Sequence, residues 1–422
     1  MRRRNKITII VWILMGILVI YLIQSFQYSS IPYSSKNNAR KLTTSVQVHN
    51  KEKLILRQQN SSTLHRHRPG DVDGGFHKQP IAIATHQNKS LDNENYGQVI
   101  GNKLEVVLAA VACGDRLHET LVMIKSAILF SNNVSLRVLI FADTPLIKGF
   151  EEKLDEWRTL VNKTYTYEIH HVAFPENGKE EWRKLFKPCA AQRLFLPSLL
   201  KQYDSVLYVD TDTLFLTQLE DIWQHFHHMN SSQMAALAPE HEDPNTGWYN
   251  RFARHPYYGK LGVNSGVMLM NLTRMRQFGW DQYLSPIYKA FRLKITWGDQ
   301  DIINIIFHYH PESLYVYSCR YNYRSDHCMY MSVCQDAHAH GVAVVHGSRG
   351  TFHSDRQTTF KAIFSALEEY QLGTDAYQNL LLPLENRLDA TSHTNCGKVR
   401  NIFTKNLHLY LAKEPFRILD DK

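Results

Sequence analysis

The order of apolar and polar positions divides the chain into three stretches of different character. Positions 7–23 form an uncharged, mostly apolar run of 17 residues. As a helix that run spans roughly 25 Å at ~1.5 Å per residue, near the lower limit for a membrane crossing. In residues 24–102, Ser, Asn, Gln, His and Lys dominate without sustained apolar periodicity, so the segment buries too little surface to offset the entropy of ordering. From Lys103 onward strand-like apolar runs at 106–112 and 138–142 alternate with helix-like stretches at 118–130 and 149–160. This alternation predicts crossover units and an α/β domain with a mostly parallel sheet. The pattern continues with a helix-like segment at 190–201, a strand at 206–209 and a buried strand at 261–270 interrupted by small polar residues. A helix at 302–307 and a short strand at 342–345 follow.

The flanking charges give these stretches an orientation. Arg2, Arg3, Arg4 and Lys6 precede the first apolar run, which places them in the cytosol. The run is longer than the apolar core of an ordinary signal peptide, and no small-x-small cleavage site follows Ile23. The expectation is a type II membrane protein: residues 1–6 a cytosolic tail, 7–23 a transmembrane signal-anchor, 24–102 a disordered lumenal stem and 103–422 a lumenal domain. So short a span suits the thinner membranes of the endoplasmic reticulum or Golgi. Through Asn102 there are 14 basic residues against five acids, an excess of nine that accounts for the formal +8 and leaves the body at −1. The body therefore offers no electrostatic reason to bind nucleic acid.

Six cysteines occur without a C-x-x-C pair, which argues against a zinc ribbon. In an oxidising lumen some of them pair, and Cys319, Cys328 and Cys334 are close enough in sequence to staple one loop, although spacing does not fix connectivity. Sequons at Asn60, Asn88, Asn133, Asn162, Asn230 and Asn271 agree with lumenal exposure, the last at the end of an apolar run.

The candidate chemistry begins with Asp210-Thr211-Asp212, two carboxylates at the end of the run 206–209. Side chains two apart in a strand share one side, so both acids can lean over one ligand, and a hard cation held by two carboxylates keeps positions open for phosphate oxygens. Asp71-Val72-Asp73 has the same spacing but sits among glycines in the stem, where a solvated turn explains it. Asp299-Gln300-Asp301 opens a helix, where capping alone justifies one acid. Arg193, in Arg193-Leu-Phe-Leu-Pro197, reads from its segment as a surface salt-bridge partner. Gly266, inside the strand Asn264-Ser265-Gly266, marks a close approach by backbone or ligand. His346 ends the strand at 342–345, as the acids end theirs; it is either structural or a ligand suited to a transition metal such as Mn²⁺.

Taken in order, Val111-Ala-Cys-Gly-Asp115, Arg193-Leu-Phe-Leu-Pro, Leu207-Tyr-Val-Asp-Thr-Asp-Thr-Leu214, Asn264-Ser-Gly-Val-Met-Leu-Met-Asn271, Asp299-Gln-Asp-Ile-Ile-Asn304 and His346-Gly347 resemble the retaining nucleotide-sugar glycosyltransferases of family 8. The resemblance runs from about Lys103 to at least Phe364. It implies a GT-A fold, a Rossmann-like mixed sheet flanked by helices, in which Asp210, Asp212 and His346 hold Mn²⁺. Ala112 and Cys113 would line the uridine pocket. Arg193, Asp210, Thr211, Asn264, Ser265, Gly266 and Gly347 would serve the donor, and Asp299 and Gln300 would be catalytic, both contacting the donor with Gln300 near the reacting carbon. Many members follow the histidine with Lys-Pro-Trp, whose lysine faces the diphosphate; here Arg349 is the candidate replacement. The His-Gly-x-Arg-Gly stretch and the type II layout resemble the animal glucoside xylosyltransferases, which imply UDP-xylose as donor and O-glucosylated EGF-like repeats, as in Notch-type proteins, as acceptor. Two other readings compete. Asp210-Thr-Asp212-Thr213 also satisfies the D-x-D-x-T pattern of haloacid-dehalogenase-like phosphatases, with Asp210 as nucleophile, and a lectin-like protein could keep the fold without the chemistry.

Overall fold

The long apolar runs become strands because helices cover the sheet and both strand faces are buried. Ten strands occur among the described residues: β1 (Val99–Ile100), β2 (Lys103–Ala112), β3 (Val134–Ala142), β4 (Tyr165–His171), β5 (Ser205–Val209), β6 (Thr213–Phe215), β7 (Ala235–Pro239), β8 (Val263–Asn271), β9 (Leu314–Val316) and β10 (Val344–His346). Eight make one sheet in the order β4-β3-β2-β5-β8-β7-β9, with β1 paired to β2, while β6 and β10 form a separate ribbon. This computed structural model describes residues 99–100, 103–161, 165–176, 178–185 and 189–413. The tail, the apolar run 7–23, the stem apart from β1, Asp71-Val72-Asp73 and the sequons at Asn60, Asn88 and Asn162 lie outside the described residues. Among the described residues no helix is long and apolar enough to cross a membrane.

The sheet is mixed, and it changes character at β5. Strands β4, β3, β2 and β5 run parallel, as the alternation of runs predicts. Beyond them β8 runs antiparallel to both β5 and β7 while β9 runs parallel to β7, so β8 is the one reversed strand in the order from β4 to β9 and the sheet is mostly parallel, as expected. The parallel half is held by helices such as Leu117–Leu129, in which ten of 13 residues are buried. Its companion Thr144–Leu160 turns Phe150, Leu154 and Trp157 inward from an otherwise polar surface. The stem boundary also moves: Val99–Ile100 pairs with Leu104–Lys103, so the fold begins before Lys103.

The reversal at β5 positions the site. Because β8 is antiparallel to β5, with Val209 opposite Val267, the first residues of β8 lie beside the carboxyl end of β5. The helix Asp299–Tyr309 locks onto that end: Val263 donates its N–H to Asn304 Oδ1 at 2.8 Å, and Ser265 donates to Gln300 Oε1 at 3.1 Å. The ribbon closes the third side, with His346 opposite Thr213. Three disulfides join Cys113 to Cys189, Cys319 to Cys334, and Cys328 to Cys396. Of the three cysteines expected to staple one loop, Cys328 instead reaches the C-terminal helices.

Candidate active site

Asp210 and Asp212 leave the end of β5 where two other elements converge on them. The Asp210 N–H bonds the Gly266 carbonyl at 2.8 Å, and the Gly347 N–H bonds the Asp212 carbonyl at 2.6 Å. His346 Nε2 lies 3.7 Å from Asp210 Oδ2 and 3.4 Å from Asp212 Oδ1. Gly266 is required by this approach, since a Cβ there would sit 2.1 Å from His346 Cε1.

The proton on His346 can be placed from a donor of certain identity. The Gly266 backbone N–H donates to the side chain of Asn264 at 3.0 Å, so that atom is Oδ1. Asn322 bonds the same oxygen at 2.8 Å and must do so through its Nδ2, which turns its own Oδ1 toward His346 Nδ1, 2.8 Å away. An acceptor there fixes a proton on Nδ1, so that Nε2, which carries the lone pair of the neutral ring, is the nitrogen that faces the carboxylates. One imidazole nitrogen and two carboxylates within 4.8 Å of one another fit a divalent ion, the mixed N,O donor set of a transition metal. A second cluster, Cys113, Asp143 and Cys189, does not, because its sulfurs are joined to each other.

Arg193 is no surface residue. It is 5% exposed, donates through Nη2 to Asp210 Oδ1 at 2.8 Å and through Nη1 to the Ser265 carbonyl, and pairs through Nε with Asp299. Its guanidinium lies 4.5 Å from the Tyr208 ring centre. Burial disfavours the Arg193 cation, but Asp210 and Asp299 more than offset that and hold it charged. Burial pushes the Asp299 carboxyl up to about 6, against the pull of Arg193 and with a further push from Asp210. The short helical turn Ala190–Phe195 carries Arg193 inward; it starts at Cys189, whose positive φ of 64° is uncommon for a residue with a side chain and is held by the bond to Cys113.

Gln300 is gripped at both ends. Its Oε1 accepts from Ser265 N, and its Nε2 donates to the Tyr249 hydroxyl at 3.2 Å. Tyr249 donates in turn to Asp301 Oδ1 at 2.8 Å and accepts from Asn304 Nδ2 at 2.9 Å. Asp301 does not cap its helix by that route; its Oδ2 accepts from the N–H groups of Thr296 and Trp297, and it is fully buried.

These groups line one crevice of about 350 Å³. Arg193, Asp210, Thr211, Asp212, Asn264, Ser265, Asp299, Gln300, His346, Arg349 and Cys113 all reach it. Ala112 does not: Val111 lines the crevice while Ala112 faces away, fully buried, because neighbouring strand residues point to opposite faces. Gly266 and Gly347 act from behind the wall, where a Cβ on Gly347 would strike Phe352 at 2.3 Å. Arg349 is on the wall, but its guanidinium is taken up by Asp326. Burial would raise the Asp326 carboxyl, yet Arg324 and Arg349 outweigh it and hold it at about 2. Sequence reasoning gave no role to Asn322, Tyr249, Trp248 or Trp297, and quoted Asn304 only as the end of a motif. Trp248 and Trp297 line the crevice near Gln300, with ring centres 5.5 Å apart. Among the sequons, Asn133 and Asn230 are exposed. Asn271 is 2% exposed and accepts from Arg274 N to cap the helix Leu272–Phe278, so its side chain is taken up inside the fold.

A mixed α/β sheet with an acidic pair at the end of a central strand, facing a histidine and a buried arginine, is the arrangement of a GT-A-like glycosyltransferase. Residues 93–347 match the profile of Glycosyl transferase family 8, and the chain belongs to that family. It is 52% identical over 311 residues to glucoside xylosyltransferase 1 of Rattus norvegicus, covering 71% of each chain. It is 49% identical over 316 residues to glucoside xylosyltransferase 2 of Mus musculus, covering 72% of this chain and 71% of that one. Among solved structures, mouse xyloside xylosyltransferase 1 in its apo form is similar at a TM-score of 0.44 and 20% identity, over 58% of this chain and 98% of that one. The phosphatase reading loses its footing, since Asp210 follows β5 in the middle of the sheet and not the first strand.

Proposed function

We propose that this glycosyltransferase moves xylose from UDP-xylose, in α-1,3 linkage and with retained configuration, onto O-linked glucose of EGF-like repeats, in the endoplasmic reticulum or Golgi lumen behind the anchor at 7–23. Identity of about half to two glucoside xylosyltransferases over most of the body carries this reading. Asp210, Asp212 and His346 would hold a divalent ion, for which the imidazole favours Mn²⁺ over Mg²⁺; when bound, it offsets charge on the departing diphosphate.

The chain's own residues do the rest. Arg193, fixed by Asp210 and Asp299, holds the donor in place and keeps its positive charge beside the leaving group. Gln300 is the residue we assign to the reacting carbon; an amide is a poor nucleophile for double displacement, and its two ends are held by Ser265 and Tyr249. The acceptor hydroxyl therefore attacks the anomeric carbon from the face the phosphate leaves. The C1–O(phosphate) bond breaks, the departing oxygen takes the hydroxyl proton, and Gln300 steadies the cationic centre. Trp248 and Trp297 offer flat apolar surface to the incoming sugar.

UDP release measured across a panel of UDP-sugars, with O-glucosylated EGF repeat and Mn²⁺, tests donor and acceptor together. UDP-xylose should give the highest kcat/KM; preference for another sugar refutes the donor assignment. Mass spectrometry of enzyme denatured during turnover should find no attached pentose, and a covalent adduct would overturn same-face attack.

A further inference from the structure

Beyond the groups assigned to the donor, the crevice wall holds a buried ion pair that the proposed chemistry does not use. Glu240 and Arg324 both line the crevice, at 6% and 3% exposure, and Arg324 Nη1 donates to Glu240 Oε1 at 3.1 Å. Glu240 directly follows β7, and its N–H bonds the Gly262 carbonyl at 3.0 Å beside the start of β8. Arg324 is tied to the ion site through its neighbour Tyr323, whose carbonyl accepts the His346 N–H at 2.8 Å and whose N–H bonds the Val344 carbonyl at 2.9 Å. The Glu240 carboxylate also holds Trp248, whose N–H donates to Oε2 at 3.2 Å. Ion pair and indole therefore belong to one stretch of wall.

The pair is incompletely bonded. Arg324 Nε and Nη2 are buried without a hydrogen-bond partner among the described residues. Glu240 carries one bond on each carboxylate oxygen and keeps further lone pairs open. A buried ion pair stabilises a fold only when its remaining donors and acceptors are satisfied, so a pair left open on a crevice wall is placed for a ligand. Charge says which kind. Asp326 lies 3.7 Å from Arg324 Nη1 and pairs with Arg349, so Glu240 and Asp326 balance Arg324 and Arg349 and leave no net charge for a phosphate. A neutral hydroxyl suits the pair: its O–H donates to Glu240 and its oxygen accepts from Arg324, while Trp248 meets the apolar face of a sugar ring.

Sheet order separates acceptor from donor. On the reading proposed above, the ion lies past β5, and Gln300, bonded to Ser265 of β8, lies at the reacting carbon; the next strand of the sheet, β7, leads into Glu240. We propose that Glu240 and Arg324 bind hydroxyl groups of the acceptor glucose and so select the acceptor. This rests on the reading that the acceptor is a glucoside.

The test uses the full-length enzyme with UDP-xylose, Mn²⁺ and p-nitrophenyl β-glucoside, together with analogues lacking the 2-, 4- or 6-hydroxyl, each rate divided by that of acceptor-free UDP-xylose hydrolysis. In the wild type at least one analogue should fall about 10- to 100-fold below the parent in kcat/KM, the size expected of a hydrogen bond to a charged group. In Glu240→Gln the parent should lose efficiency mainly through its KM, and the penalty for that analogue should shrink to about twofold, because the hydroxyl and its partner act as one unit. Arg324→Lys, which keeps a cation facing Glu240, carries the same comparison if Glu240→Gln does not fold. A wild type indifferent to all three hydroxyls, a penalty that persists in the variant, or a rise in KM for UDP-xylose in place of the glucoside overturns the assignment alone. If the wild type hydrolyses UDP-xylose but transfers to no glucoside, the glucose-acceptor reading fails and this subsite falls with it.

Discussion

The two halves of the central sheet are built to different ends. In the parallel half β2, β3 and β4 pair in uninterrupted register, and the interior is almost wholly apolar: Leu108, opposite Val138 on one side and Leu207 on the other, has no exposed surface. Beyond β5 the reversed strand β8 buries Asn264, Ser265 and Asn271, and its pairing with β7 slips between Leu237 and Ala238. Buried polar groups cost free energy unless they are hydrogen-bonded. Their presence here shows that this half places functional side chains and that the parallel half supplies the rigid platform.

That contrast makes separable predictions. Apart from the ion ligands themselves, the largest effect should come from Gly266→Ala, whose Cβ displaces the His346 ring: turnover per folded molecule should drop about 100-fold, as expected when a reacting group is misplaced by about 1 Å, beside an overpacking cost of about 1–3 kcal/mol in stability. Asn322→Leu should then cost about 10- to 100-fold in turnover at limiting Mn²⁺, because the histidine loses the acceptor that fixes its tautomer; saturating metal should restore part of it. If Asn322→Leu instead lowers Tm and leaves metal affinity intact, its role is structural.

In the parallel half the balance reverses. Leu108→Ala should destabilise the fold by about 2–5 kcal/mol through the cavity it leaves, read by denaturant titration, while kcat per folded molecule stays at the wild-type value. A loss of kcat without loss of stability would dissolve the distinction. The smallest effect concerns Asp326. Its native carboxyl is held at about 2, below its value in the unfolded chain, so the unfolded state binds protons first. This stability, roughly 2 kcal/mol by linkage, is complete above about pH 4 and lost as pH falls toward 2. Thermal unfolding of Asp326→Asn between pH 5 and 2 should therefore show a shallower acid decline than wild type.

The same division governs what the sequence revealed. Apolar runs announce β2, β3 and β5, and the acidic pair stands out because it ends one of them. Which of Val111 and Ala112 faces the ligand was hidden, since a strand buried on both faces shows no alternation. The reversal at β8 was also hidden, because direction is set by the long connection through β6 and β7 and not by the strand's own residues. Asn322 carries no spacing signal at all; it matters because the fold places it behind His346. Arg193 misled for a related reason, since its short turn gives no sign that the cation points inward to two carboxylates. The disulfide Cys113–Cys189 joins residues whose proximity only the tertiary structure creates.

The most direct test of the central claim, that Asp210, Asp212 and His346 bind the ion on which sugar transfer depends, is UDP release from UDP-xylose by the full chain and by its Asp212→Asn variant, each titrated with Mn²⁺ after chelation. The wild-type enzyme should be silent without metal and recover on addition, while the variant, folded as judged by circular dichroism, should stay at background at every concentration. Turnover by Asp212→Asn at the wild-type rate, or metal-independent turnover by the wild type, would contradict the account.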